Sequence, residues 1–192
     1  RLTQAPVPQP GPGEVRVRVN AVALNYRDKM VIEGNMPIAL TFPFTPASDM
    51  AGVVDSTGEG VTRFKPGARV ISTFSPEWVD GKPKGDARNL PYQTLGGYFP
   101  GMLSEYVIMR ENWLVAAPET LDDAEASTLP CAGLTAWFAL VERGQLRAGQ
   151  SVLVQGTGGV AIFALQIAKA HGAEVFVTSG SDEKLALAKT LG

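Results

Sequence analysis

Residues 15–21 alternate without a break: Val15, Val17, Val19 and Ala21 are apolar, and Arg16, Arg18 and Asn20 are polar. A period of two predicts a half-buried strand with one face on a core and the other in water. The turn-forming run at residues 9–13 precedes it. Shorter apolar runs then recur between Gly- and Pro-bearing turns, predicting strands at residues 51–55, 68–73, 101–109 and 113–117. Residues 28–34 predict a short helix or turn that stops at Gly34. Residues 78–97 are polar, turn-rich and poorly periodic, which predicts a long surface loop. Many short strands at this spacing predict an all-β unit over residues 1–118, a small barrel.

After Pro118 the rhythm changes. Residues 121–126 start a helix, with an Asp as N-cap and acids in its first turn. Pro130 interrupts it, and residues 132–143 resume helically up to Gly144. Residues 151–155 predict a short buried strand. Residues 160–171 predict a helix with Phe163, Ile167 and Ala170 on one face and Gly172 as its stop. Residues 174–178 predict a second buried strand, and Ser181 or Asp182 caps a last helix running to Leu191. Strand, helix, strand, helix predicts a parallel sheet over residues 119–192. No internal repeat or low-complexity tract is present.

Composition narrows the chemistry. The 192 residues are 45% hydrophobic and 19% charged, with a net charge of −2. That balance argues against a nucleic-acid partner or an anionic membrane surface. No stretch approaches the ~20 apolar residues of a membrane span, and no signal peptide opens the chain. A cytoplasmic protein acting on a small molecule is the expectation. One cysteine and one histidine exclude a disulfide framework, a multi-cysteine zinc lobe and a His-rich cage.

The strongest chemical signal is the glycine loop Gln155-Gly156-Thr157-Gly158-Gly159-Val160-Ala161, in which Gly156, Gly158 and Ala161 fit G-x-G-x-x-G/A. A predicted strand precedes it, a helix follows, and a second strand stands about twenty residues on. Gly156 permits the tight turn, Gly158 lets a pyrophosphate approach the backbone, and Ala161 allows close packing of the helix on the sheet. The helix N-terminus offers free N–H groups to the phosphates. The alternative is a Gly-rich turn of another doubly wound fold. A Walker loop is excluded, because no Gly-Lys-Ser/Thr follows. The second strand ends in Thr178-Ser179-Gly180-Ser181, without the acid that binds a ribose 2′-hydroxyl. Ser179 and Gly180 leave room for a 2′-phosphate and Lys184 can supply charge, so NADPH is favoured over NADH.

With that loop placed, further segments resemble one family. They are residues 22–28 (Val-Ala-Leu-Asn-Tyr-Arg-Asp), 46–54 (Pro-Ala-Ser-Asp-Met-Ala-Gly-Val-Val), 58–61, 64–70 and 133–137. Together they resemble the medium-chain dehydrogenase/reductase superfamily across essentially the whole chain. The resemblance implies an α/β protein: a GroES-like β-barrel domain at residues 1–118, its first hairpin missing, followed by a partial Rossmann domain, a doubly wound parallel sheet, at 119–192. It implies an active site in the cleft between them, with half of the nicotinamide pocket outside this chain. It also implies a homodimer for the longer protein.

In the alcohol dehydrogenase branch a Cys, a His and a second Cys hold a catalytic zinc. By motif those positions are Asn25, Ser48 and Cys131. An amide and a hydroxyl are poor zinc ligands, so neither a catalytic nor a structural zinc is expected. The resemblance is therefore to the zinc-free quinone oxidoreductases and enone reductases, which carry a hydride from NADPH to a conjugated acceptor. Two rivals stand beside that expectation: a zinc-type alcohol dehydrogenase, and a dinucleotide-binding sensor without turnover.

The candidate catalytic residues are Asn25, Tyr26 and Ser48. Asn25 can hydrogen-bond a substrate oxygen; Tyr26 can donate a proton or wall the pocket. Asp28 orients its neighbours, and Asp49 is expected to partner a positive group. The candidate cofactor residues are Thr135, Gly156, Thr157, Gly158, Gly159, Val160, Ser179, Gly180 and Lys184. Cys131 reads as a packed residue and His171 as a surface cap. Trp78, Trp113 and Trp137 read as anchors, with Tyr92 and Phe99 as candidate pocket walls.

Overall fold

The computed structural model describes residues 2–36, 40–81 and 93–192. Tyr92 lies outside the described residues. The chain forms two compact units, Arg1–Pro130 and Cys131–Gly192.

The first unit is built on a five-stranded antiparallel sheet. Its strands are β1 (Glu14–Ala23), β2 (Asp49–Thr57), β3 (Arg69–Ser72), β4 (Tyr106–Arg110) and β5 (Leu114–Ala116), in the order β4-β1-β2-β3-β5. The short helix α1 (Tyr26–Ile32) follows β1, and α2 (Asp123–Ser127) follows β5. The alternation of β1 holds at its start, where Val15 and Val17 are fully buried. Register shifts against β2 at Arg16/Val17 and Val19/Ala21 then bend the strand.

The middle strands are apolar on both faces. Met50, Val54 and Val70 join Val15, Val17, Leu95, Met102, Val107, Met109 and Leu114 in the main core. Ala51 and Ile71, pointing the other way, pack with Ala117 and Ala126. α2 therefore covers the outer face of β2 and β3, and the first unit runs to Pro130, past the change of rhythm at residue 118. Asp122 caps α2, its carboxylate accepting from the Glu125 amide at 2.8 Å while Glu125 accepts from the Asp122 amide at 3.0 Å.

The sequence places residues 78–97 on the surface, but Thr94 and Leu95 are buried. Close backbone approach explains this. A Cβ on Gly96 would meet the Ala47 carbonyl at 2.5 Å, and one on Gly101 would meet the Pro46 carbonyl at 2.2 Å. The glycines let this segment run against residues 45–47, and Gly101 and Met102 donate to the Thr45 and Ala47 carbonyls at 2.7 and 2.8 Å.

After α2 the chain takes an irregular helical run that begins at Leu129 and continues into the second unit. Leu129–Gly133 and Phe138–Arg143 wind as π-helix on either side of α3 (Leu134–Trp137). The sequence predicts an ordinary helix here, but Pro130 cannot donate an intrahelical bond, and the Gly144 amide reaches back to Ala139 at 2.8 Å, the wide-turn spacing. Strands β6 (Ser151–Gln155) and β7 (Glu174–Thr178) pair in parallel, joined through helix α4 (Gly159–Ala170) and followed by α5 (Asp182–Leu191). On α4, Leu165 and Ala168 are buried, Phe163 and Ile167 half-buried and Ala170 exposed. The strands are not buried on both faces. Val154 is covered, while Leu153 and Phe176 are 62% and 51% exposed. α4 packs on both strands and α5 on β7 and α4, and successive side chains of a strand point to opposite sides. Among the described residues no helix is long and apolar enough to cross a membrane.

One clamp ties α2 to the sheet. Arg69 grips the Asp123 carboxylate through Nε and Nη2 at 3.0 and 2.7 Å and donates to the Leu121 carbonyl at 2.8 Å. Asn20 donates to the same carboxylate at 2.7 Å. The Asn20 bond, then Arg69, holds the Asp123 carboxyl below the usual carboxylate range. A depressed folded value contributes stability that is present above the unfolded carboxylate range and lost as pH falls through the folded one. Arg69→Ala is expected to cost about 1–2 kcal/mol at neutral pH, after discount for partial exposure. Denaturant titrations are expected to show a shallower loss of stability for Asp123→Asn than for the unsubstituted protein below about pH 4.

Candidate active site

Two constellations carry chemistry, one in each unit. The first lies where β1 hands over to α1 and faces the start of β2. Asn25 caps α1 in extended conformation. Its backbone N–H donates to Asp28 Oδ2 at 2.8 Å, and its side-chain Nδ2 donates to Asp49 Oδ2 at 3.1 Å. Asp49 has no solvent exposure. Its other oxygen accepts from the Ser48 hydroxyl at 2.6 Å. Ser72, at the end of β3, donates to the Ser48 carbonyl at 2.9 Å and accepts from the Met50 amide at 3.1 Å, bridging the backbone on both sides of Asp49. Ala47, just before this turn, has φ +69°, a left-handed conformation rare for a residue with a side chain.

Asp28 is 3% exposed. Among the described residues its Oδ1 accepts no hydrogen bond; it lies 3.7 Å from the Arg27 guanidinium. Burial pushes its carboxyl above the usual range, against the opposing pull of the Asn25 amide and of Arg27. Arg27 also donates to the Leu95 carbonyl at 3.2 Å, bonds the Thr94 hydroxyl and lies over the Phe74 ring at 5.2 Å. It thereby ties α1 to the buried 94–95 segment. Tyr26, next to Asn25, is open to solvent. It is 75% exposed, with Lys29 Nζ 5.9 Å above its ring. Phe99 packs against Trp113 with centroids 4.8 Å apart, at the edge of the main core.

The second constellation is the C-terminal edge of β6 and β7. Gly156 leaves β6 at φ +87°, and its amide donates to the Thr178 carbonyl at 2.8 Å. Gly158 is the N-cap of α4. A Cβ on Gly156 or Gly158 would meet no protein atom within 4 Å, so the loop borders open space that a ligand backbone can enter. Gly159 and Val160 form the first turn of α4, whose leading N–H groups lack intrahelical acceptors. Because β7 is the parallel neighbour of β6, the turn at Ser179 and Gly180 stands beside the glycine loop. Ser181 caps α5, its hydroxyl accepting from the Lys184 amide at 3.4 Å, and Lys184 itself is exposed. Thr135 is exposed on α3, and Cys131 is half-buried. His171 caps α4, with Nδ1 2.8 Å from the Ile167 carbonyl.

Asn25 and Ser48 thus meet through Asp49, while the Tyr26 side chain is exposed. The two groups that organise it, Asp49 and Ser72, are not among the sequence candidates for catalysis. Ser72 carried one signal: a hydroxyl closing the apolar run Val70-Ile71. The donor set at positions 25 and 48 does not suit zinc, because both side chains donate to Asp49 rather than presenting an anionic or imidazole ligand. Among the described residues no three His, Cys, Asp or Glu side chains gather closely enough to share a metal ion.

Two family models match the chain: the alcohol dehydrogenase GroES-like domain over residues 11–119 and the zinc-binding dehydrogenase domain over 159–192. A zinc-type alcohol dehydrogenase-like protein of Schizosaccharomyces pombe is 45% identical over 176 residues, covering 91% of this chain and 50% of its own. The quinone oxidoreductase of Rattus norvegicus is 36% identical over 180 residues, covering 92% and 47%. A solved structure from Sinorhizobium meliloti, named as an alcohol dehydrogenase, superposes with a TM-score of 0.94 at 65% identity, covering 97% of this chain and 55% of that one. The chain spans about half the length of the curated relatives it matches. With a GroES-like unit followed by a Rossmann-type unit, in the order and spacing of these models, the chain belongs to the medium-chain dehydrogenase/reductase superfamily.

Proposed function

We propose that this chain supplies the acceptor-binding and dinucleotide-binding groups of an NADPH-dependent oxidoreductase that reduces a quinone, enone or related conjugated carbonyl without zinc. The observation that carries the reading is the state of Asn25 and Ser48. At the positions where zinc-type members hold their metal, this chain has an amide and a hydroxyl already bonded to a buried carboxylate. A metal-free site polarises a simple ketone weakly. A conjugated acceptor spreads its developing charge and needs placement and a few hydrogen bonds instead. Bound NADPH supplies the hydride; the protein supplies orientation.

The residues divide that work. The open loop at Gly156–Val160 and the first turn of α4 fit a pyrophosphate, with N–H groups for its oxygens and no side chain in the way. Ser179 and Gly180 leave the adjacent turn without an acidic side chain, and Lys184 offers positive charge to a 2′-phosphate. Asn25 gives a hydrogen bond to the acceptor oxygen, and exposed Tyr26 walls it or donates a proton. The rival reading, a zinc-type alcohol dehydrogenase, draws on the zinc-binding dehydrogenase model over residues 159–192. That segment carries the glycine-loop helix rather than positions 25, 48 and 131.

The reading is tested by following reduced-nicotinamide absorbance with a panel of quinones, enones and alcohols. Oxidation of NADPH by a conjugated acceptor, and no reduction of NADP+ by simple alcohols, is expected; reduction of NADP+ by alcohols with no NADPH oxidation by conjugated acceptors overturns it. Gly158→Val is expected to fold with a stability loss of about 1 kcal/mol, because its Cβ meets no described protein atom within 4 Å and the cost is that of an apolar N-cap. Its dinucleotide affinity, measured by titration calorimetry, is expected to fall at least about tenfold through loss of backbone approach to the pyrophosphate. Lys184→Ala is expected to weaken NADPH by about tenfold and to leave NADH unchanged, the size of one exposed charge contact.

A further inference from the structure

We infer that Asp49 is a positioning residue whose buried carboxylate fixes the Asn25 amide in one orientation, leaving one directed N–H for an oxygen of the bound acceptor. The inference deepens the function proposed above and rests on it. A carboxylate that receives two donors is an acceptor only. The edge of Asn25 that faces it must therefore be Nδ2, since a flipped amide would set its own carbonyl oxygen against the charge. Nδ2 carries two hydrogens, and among the described residues it makes one hydrogen bond, to Asp49 at 3.1 Å. The second hydrogen remains for a ligand.

Everything around the carboxylate resists rotation. Ser48 donates to its Oδ1 at 2.6 Å, and both residues are without solvent exposure. Ser72 bridges Ser48 and Met50, so the backbone at residue 49 is held from both sides. The Asn25 backbone is gripped separately by Asp28 Oδ2 at 2.8 Å. Turning Asp49 away would strip it of two donors in a dry setting, which is costly. In this arrangement the Ser48 hydroxyl proton is committed to Asp49. Ser48 is then a support for the amide rather than a group that touches the substrate.

The test is a double-mutant cycle in the intact protein, read by kinetics and by the side-chain amide resonances of Asn25. Asp49→Asn is expected to lower kcat by about tenfold to a hundredfold, the scale of a misplaced binding group. The dissociation constant of reduced dinucleotide, bound by the second unit, is expected to stay within about twofold, and the Asn25 amide protons should shift. In an Asn25→Ala background Asp49→Asn should cost nothing further, because its effect runs through Asn25. Additive losses, or a wild-type kcat in Asp49→Asn, overturn the inference. An unshifted Asn25 amide overturns it whether or not any acceptor is reduced. A shifted amide in a protein without turnover supports the clamp and overturns the proposed function instead. Should Asp49→Asn fail to fold, Ser48→Ala, which removes one donor, is expected to give the same signs at smaller size, and an unchanged Asn25 amide there overturns the clamp.

Discussion

A fully buried carboxylate needs donors, and Asp49 finds them in its own neighbourhood: the Ser48 hydroxyl on one oxygen and the Asn25 amide on the other. An unpaired charge at that depth would be costly enough to unfold the turn or to shift its protonation. The satisfied carboxylate instead fastens the first turn of α1 to the start of β2. Ser72 extends the fastening to β3, and Arg27 carries it on to the buried 94–95 segment. Four stretches distant in sequence are joined around one side chain. The chemistry proposed for the protein, an amide presented where zinc-type relatives present a metal, depends on that junction.

The second unit works through its backbone. Gly156 turns out of β6 at a positive φ, Gly158 caps α4 without a side chain, and the turn after β7 lies alongside because the two strands are parallel neighbours. Little of that site is side-chain chemistry. It is an arrangement of N–H groups and empty space, which is why small residues dominate it.

Local signals made much of this legible in the sequence. The alternation at residues 15–21, an Asp cap at the start of α2, the Gly172 stop and the strand–glycine loop–helix order each act over a few residues, and each is found in the structure. What escaped depends on distant partners. No local pattern announces that Asn25 and Asp49 are bonded, or that Ser72 bridges residues 48 and 50. The burial of Thr94 and Leu95 follows from Gly96 and Gly101 pressing on residues 45–47, a contact between remote segments. Within α4, Phe163 and Ile167 are half-buried, and Leu165 and Ala168 are buried as well, because the docking angle of a helix is a tertiary property.

We propose that hydrogen bonds to a buried carboxylate take the place of a metal in this chain. The most direct test of that substitution is the zinc content, by elemental mass spectrometry, of protein purified without chelator and shown to turn over. Well under about one-tenth of a zinc per chain is expected, since three good ligands are needed for tight binding. One zinc per active chain, lost together with activity on dialysis against a strong chelator and restored by zinc alone, would contradict it.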